Sequence, residues 1–237
     1  MRTQQPGTAA LTALFALASL SLGACAPSVP TGDAAFEGGS PDGSSSDAVA
    51  TESGAAVFGQ RVVEFSPGEG AGFGQSRMPD IVLGRPEGAG DMRGGTHVVS
   101  LGRGGRICLE MAAPIVDREG ADFIVFENGF IVAGSPEVFV ELGEVSVSED
   151  GARFATFACD TRAPYRGCAG VNPVYASSTN TLDPTDPRYA GGDAFDLATV
   201  GVGRARIVCV RDLSTREPTP PSSGFDLDAI ASVHADR

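Results

Sequence analysis

The chain has no lysine and no tryptophan, and only two histidines and three tyrosines. Without lysine there is no Schiff-base chemistry and no phosphate-loop lysine. All 17 basic residues are arginines, set against 30 acids, for a formal net charge of −13. So acidic a chain is a poor partner for nucleic acid or for an anionic lipid surface. His97 falls in the strand-like run "THVVSLG" and His234 near the C-terminus. Neither belongs to a serine or cysteine nucleophile motif, so a hydrolytic triad has little support. The cysteines lack the paired spacing of a zinc site. The glycine-rich "SPGEGAGFG", residues 66–74, does not match G-x-G-x-x-G and, with Pro79 following, opens no helix; it reads as a surface loop.

Helical periodicity is scarce as well. What recurs instead are short apolar runs: "RVVEF", "RICLEM", "DFIVFEN", "EVFVELGEVSVSED", "ARFATF", "RARIVCVRD" and "GFDLDAIASVH". Glycine, proline, aspartate or serine bounds most of them, the pattern of strands separated by turns. With no βα alternation, residues 57–237 are expected to form one all-β domain, an antiparallel β-sandwich or jelly roll. Asp150-Gly151 is a hairpin turn signal. Gly143 lies where the alternation of Val138, Val140 and Leu142 switches to Val145 and Val147, which calls for a bulge or kink. Residues 122–128 and 138–148 have the look of a hairpin. In the last strand, Phe225, Leu227 and Ala229 should face one way and Asp226 and Asp228 the other.

Before this domain come two other segments. Arg2 precedes the apolar run "AALTALFALASLSL", too short for a comfortable membrane span and suited to a signal-peptide core. The run ends in "LGAC", residues 22–25, which resembles the bacterial lipobox; an ordinary secreted protein with a chance cysteine is the alternative. The resemblance implies cleavage after residue 24, lipid on Cys25 and, with Ala26 next, sorting to the outer membrane or cell surface. Two acyl chains would make a stable anchor. Residues 26–56 hold five acids and no basic residue, and with Cys25 form a flexible tether.

Four cysteines remain for the domain, in an oxidising compartment. Cys159 and Cys168 bracket a short loop. Cys108 and Cys209 lie in two strand-like runs. The preferred pairing is 159 with 168 and 108 with 209, with two buried free thiols as the alternative to the second bridge.

The runs "GGRICLEM", "VSVSEDGARFATF" and "RARIVCVRD" with a closing strand resemble the discoidin-type, galactose-binding-like β-sandwich superfamily. The resemblance spans residues 96–234. It departs from the usual pattern at Phe154, where tryptophan is commoner, and at Ile207 and Cys209. The longer string, with "GAGFGQ", "VLGRP", "DFIVFENGF", "GGDAFDL" and "GFDLDAI", resembles a family of bacterial cell-surface proteins of unknown function. The superfamily implies a binding module more than an enzyme, with ligands on the end loops or a concave face and often a structural Ca²⁺.

Three groups of residues could carry chemistry. Asp193, Asp196, Asp226 and Asp228 are oxygen donors of the kind Ca²⁺ takes, and could also be turn caps and solvated charge. Glu127, Asn128 and Glu141 would meet across the expected hairpin. Paired carboxylates suggest glycoside hydrolysis, though structural hydrogen bonding or metal ligation is the commoner use. Tyr165, Tyr175 and Tyr189 cluster in a long insertion, where they would stack on a sugar or a protein ligand or simply anchor the loop. The function expected from these features is an anchored extracytoplasmic module binding carbohydrate or a surface polymer. Protein adhesion and glycan hydrolysis are the alternatives.

Overall fold

A computed structural model describes residues 57–135 and 138–236. The expected signal segment, Cys25 and the tether lie outside the described residues. No helix among the described residues is long and apolar enough to cross a membrane. The regular structure is almost wholly strand: β1 (Gly59–Ser66), β2 (Val99–Ser100), β3 (Arg106–Val116), β4 (Phe123–Phe126), β5 (Phe130–Ile131) and β6 (Val138–Phe139). Then follow β7 (Gly143–Ser148), β8 (Ala155–Thr156), β9 (Asp193–Phe195), β10 (Arg204–Asp212), β11 (Asp226–Leu227) and β12 (Ala229–Ser232). Three single turns of 3-10 helix, Gln75–Arg77, Asp80–Val82 and Leu197–Val200, supply the helix.

Every strand pairing is antiparallel. One sheet has five strands in the order β1-β3-β10-β7-β8. A second has three, β12-β4-β9, flanked by the two-stranded ribbons β11-β2 and β5-β6. Alternate residues of both sheets enter one core: Ile107, Leu109 and Met111 of β3, Val145 and Val147 of β7, and Val208 and Val210 of β10 meet Phe123 and Val125 of β4. Phe195, Leu197, Phe225, Leu227 and Ile230 complete it.

β4 is buried along its whole length, which explains its unbroken apolar sequence. Phe123 and Val125 face the main core, while Ile124 and Phe126 face a second apolar cluster. Val174, Ala176 and Ala190 build that cluster with Ala229 and Ala231. The long insertion therefore covers the outer face of the three-stranded sheet.

Local turn chemistry is as the sequence suggests. β7 and β8 form a hairpin whose turn holds Gly151 at φ 74°. Asp150 Oδ1 accepts from the amides of Ala152 and Arg153. Three expectations need correcting. Residues 122–128 and 138–148 form no hairpin: β4 pairs with β9 and β12, β5 pairs with β6, and β7 belongs to the five-stranded sheet. Gly143 marks no bulge; it opens β7 beneath an aromatic ring, where a Cβ would lie 2.7 Å from both Phe225 and Val210. His97 sits in a bend ahead of β2, outside any strand.

Cys108 and Cys209 are bonded across directly opposed residues of β3 and β10, with Cα atoms 4.0 Å apart. Their neighbours Ile107, Leu109, Val208 and Val210 point into the core. Strand alternation then places the bridge on the outer face of the sheet. Cys159 and Cys168 form the second bridge.

Candidate functional site

Where β4 ends, the chain leaves the sheet and delivers Glu127 and Asn128 to one end of the three-stranded layer. Opposite them the last strand breaks. Phe225 and Leu227 face the main core, but Ala229 faces the second cluster and Ile230 takes the core position. The alternation slips at Asp228 because the chain changes partner there, from β2 to β4. The Asp228 amide donates to Phe126 O at 3.0 Å. Asp226 and Asp228 therefore do not share the face of one continuous strand.

A glycine-rich stretch, residues 87–97, packs over this break. The Glu87 amide donates to Asp228 Oδ2 at 2.8 Å. His97 Nδ1 lies 3.6 Å from Asp228 Oδ1, an ion-pair distance too long for a hydrogen bond. Glu87 Oε2 accepts from Ser177 Oγ and the Ser178 amide, which ties the stretch to the insertion. Two spaces result. An open cleft of about 490 Å³ is lined by Glu87, Gly88, Ala89 and Arg93 to His97. Beside it a chamber of about 10 Å³ is lined by Glu87, Gly88 to Gly90, Arg93, Gly95, Glu127, Asn128 and Asp228, among others.

Unsatisfied polar atoms concentrate here. Among the described residues, five buried side-chain atoms have no hydrogen-bond partner, and four of them are His97 Nδ1, Glu127 Oε2, Asn128 Oδ1 and Asp228 Oδ1. Buried polar atoms are normally paired, so this grouping marks the site. A larger hollow of about 660 Å³, between residues 147–155 and 201–204, is lined by none of these groups.

Electrostatics single out the same region. Burial pushes the Glu127 carboxyl well above the usual carboxylate range, and the like charges of Asp226, Glu141 and Asp193 add to it. Glu141 is pushed up to about 8, by burial first and then by Asp226, with Arg216 opposing. Burial raises Asp228 to about 6 against the pull of His97. His97 is itself raised, chiefly by the Asp228 carboxylate beside it.

The four aspartates singled out as metal ligands are separated. No three of them bring carboxylate oxygens within 4.8 Å of one another. Asp193 accepts from the amides of Gly170 and Val171 and from Asn172 Nδ2, which uses both of its oxygens. Asp196 caps the 3-10 turn through the Ala198 amide. Asp226 accepts from Ser100 Oγ, and at 3.4 Å from Asn128 Nδ2 and Ser222 Oγ. Of the four, only Asp228 carries a buried oxygen without a hydrogen-bond partner. A different trio, Asp117, Asp122 and Asp196, does place carboxylate oxygens within 4.8 Å. There Asp122 is already engaged by the amides of Arg118 and Leu197 and by His234, so the trio reads as hydrogen-bonded turn structure.

The three tyrosines occupy separate places. Tyr165 lines a hollow of about 230 Å³ with Asn172 and Asp193. Tyr175 is 41 % exposed and borders Gly191, and Tyr189 is 61 % exposed beneath the Arg188 guanidinium. None of them lines the cleft or the chamber. Glu141 lines a third hollow with Arg216 and Ser222.

Glu87 and Arg93 were not singled out from the sequence, and His97 was weighed there only for a hydrolytic triad. The available signal was "EGAGDMRGGTH", residues 87–97, in which glycines alternate with charged groups and a histidine. No protein-family model matches the chain, and neither does any curated protein.

Proposed function

We propose that this chain is a lipid-anchored, extracytoplasmic binding module that takes a glycan or other polyhydroxylated surface polymer in the cleft formed by residues 87–97. Two antiparallel sheets around one core support a jelly-roll sandwich of the galactose-binding-like kind. Two disulfides fit an oxidising compartment outside the cytoplasm. The observation that carries the functional reading is an open cleft lined by Glu87, Arg93 and His97, backed by a small chamber where Glu127, Asn128 and Asp228 each hold an unpaired buried atom. Sugar hydroxyls both donate and accept, which suits a cleft lined by the Glu87 carboxylate with Arg93 and His97. Burial favours binding over hydrolysis: Glu127 is 3 % exposed, out of reach of a glycosidic oxygen.

The test is a glycan-array screen of the full chain, followed by titration of the best ligand. Arg93→Ala and His97→Ala should each weaken binding by about tenfold. The proposal fails if no glycan is retained by the wild type, or if both variants bind as the wild type does.

A further inference from the structure

The chain contains two Asp-Pro bonds, 183–184 and 186–187, both in the long insertion before β9. Such a bond is chemically weak in acid. The proline nitrogen belongs to a tertiary amide, and it accepts a proton and leaves more readily than other peptide nitrogens. The aspartate carboxyl closes a five-membered ring when it attacks its own main-chain carbonyl carbon, so nucleophile and electrophile are held in one residue.

The fold treats the two bonds differently. At Asp183 one carboxyl oxygen is occupied: Oδ1 accepts from the Thr185 amide at 2.9 Å and from Thr185 Oγ1 at 2.8 Å. No donor reaches Oδ2, and the residue is exposed, so water has access. The main-chain oxygen of Asp183 accepts from the Asp186 amide at 3.1 Å. That amide polarises the carbonyl and stays in place for the oxygen that turns negative during attack. At Asp186 both carboxyl oxygens are clamped. Oδ1 accepts from the Arg188 amide at 3.0 Å and from Nε at 2.9 Å, and Oδ2 accepts from Nη2 at 2.7 Å. Arg188 holds that carboxyl down at about 2, so in mild acid it has no proton to hand on. The Asp186 carbonyl is hydrogen-bonded as well, by the Tyr189 and Ala190 amides, and the difference between the two bonds lies in the carboxyl.

We infer that Asp183–Pro184 is a self-cleaving bond, cut in mild acid by the Asp183 carboxyl, and that Arg188 protects Asp186–Pro187 from the same reaction. A carboxyl oxygen bonds to the Asp183 main-chain carbonyl carbon, the bond to the Pro184 nitrogen breaks, and the carboxyl proton passes to that nitrogen. Water then opens the cyclic anhydride. A carboxyl is left at 183 and a secondary amine at 184, and the sum is hydrolysis with no further reactant. The charged groups around the bond are Asp186 and Arg188, paired with each other, and Arg85, which donates to Leu182 O.

The two pieces do not part. Cys108 precedes the cut and Cys209 follows it, so their bridge joins the fragments. Val174 and Ala176 on one side of the cut and Ala190 on the other pack into one apolar cluster. The product is a two-chain molecule with a proline amino terminus in the insertion. It forms whatever the cleft binds.

The full chain, held for days at about pH 4, should run as one band without reductant and as two bands with it. Mass spectrometry should find the new amino terminus at Pro184. Asp183→Asn should slow the cut by about a hundredfold or more. Arg188→Ala should add a second cut at 186–187. Chain unfolded in urea should cut both bonds at similar rates, because the clamp on Asp186 is gone. The inference is overturned if the folded wild type stays whole in acid, or if it cuts 186–187 as fast as 183–184. It is equally overturned if Asp183→Asn cuts as the wild type does, if Arg188→Ala leaves 186–187 intact, or if the preference for 183–184 persists in urea.

Discussion

Asn172 Nδ2 donates to Asp193 Oδ1 at 2.8 Å, while Asp193 Oδ2 accepts from the amides of Gly170 and Val171 at 2.8 and 3.0 Å. One buried carboxylate thus fastens three consecutive residues of the insertion to β9. Asp193→Ala strands all three donors and should cost about 3 kcal/mol. Asp193→Asn should cost about 1 kcal/mol, because its carbonyl can still face the two amides and Asn172 can turn its own amide over to accept. Urea denaturation distinguishes the two. Equal losses would show that charge, rather than hydrogen bonding, holds the insertion.

The two disulfides should differ in worth. Cys108–Cys209 spans 101 residues and Cys159–Cys168 spans 9. Chain entropy assigns about 4–5 kcal/mol to the first and about 2–3 kcal/mol to the second. Paired serine variants, Cys108→Ser with Cys209→Ser and Cys159→Ser with Cys168→Ser, should show the larger drop in denaturation midpoint for the first pair. The reverse order would mean that the short bridge orders the insertion in a way loop length does not capture.

Stability should fall as pH rises from about 4.5 to about 8. The Glu141 carboxyl ordinarily titrates near 4.5 and is held at about 8 in the fold. The folded chain then keeps a proton that the unfolded chain has lost, so its contribution is complete below 4.5 and gone above 8. Asp193 and Asp228, both raised to about 6, steepen the lower half. The raised His97 acts in the same direction. Glu141→Gln should flatten the profile between pH 6 and 8. A profile that rises over this window would contradict the burial of these acids.

Cys25→Ser should abolish membrane attachment. Its thiol is the lipid acceptor that the "LGAC" resemblance implies, and no helix among the described residues is long and apolar enough to cross a membrane. Labelled palmitate still incorporated into that variant would place the anchor elsewhere.

Features set by adjacent residues were legible in the sequence. Asp150-Gly151 makes its turn through bonds reaching only two or three residues away. The inward side chains of β3, β7 and β10 follow from alternation alone. The slip at Asp228 was not legible, because it arises from a change of strand partner that no local pattern encodes. Glu127 and Asn128 were noticed, but by the wrong route: no hairpin joins their strand to that of Glu141, although the Glu141 charge does act on Glu127. Glu87 reaches Asp228 across 141 residues, so its part in the site appears only once the chain is folded.

The Ser232 amide donates to Val57 O at 2.7 Å, and Phe58 bridges to Ala231. β12 follows every other described strand in chain order, yet it pairs with β4 and gives Ile230 to the main core. A growing chain therefore cannot close the three-stranded sheet until nearly all of the domain has been synthesised. Until then Phe123, Val125 and Phe126 have no complete cover, and exposed apolar surface of that kind makes an incomplete chain prone to aggregate. If the chain is exported as proposed, this order of pairing keeps the polypeptide threadable until β12 has passed.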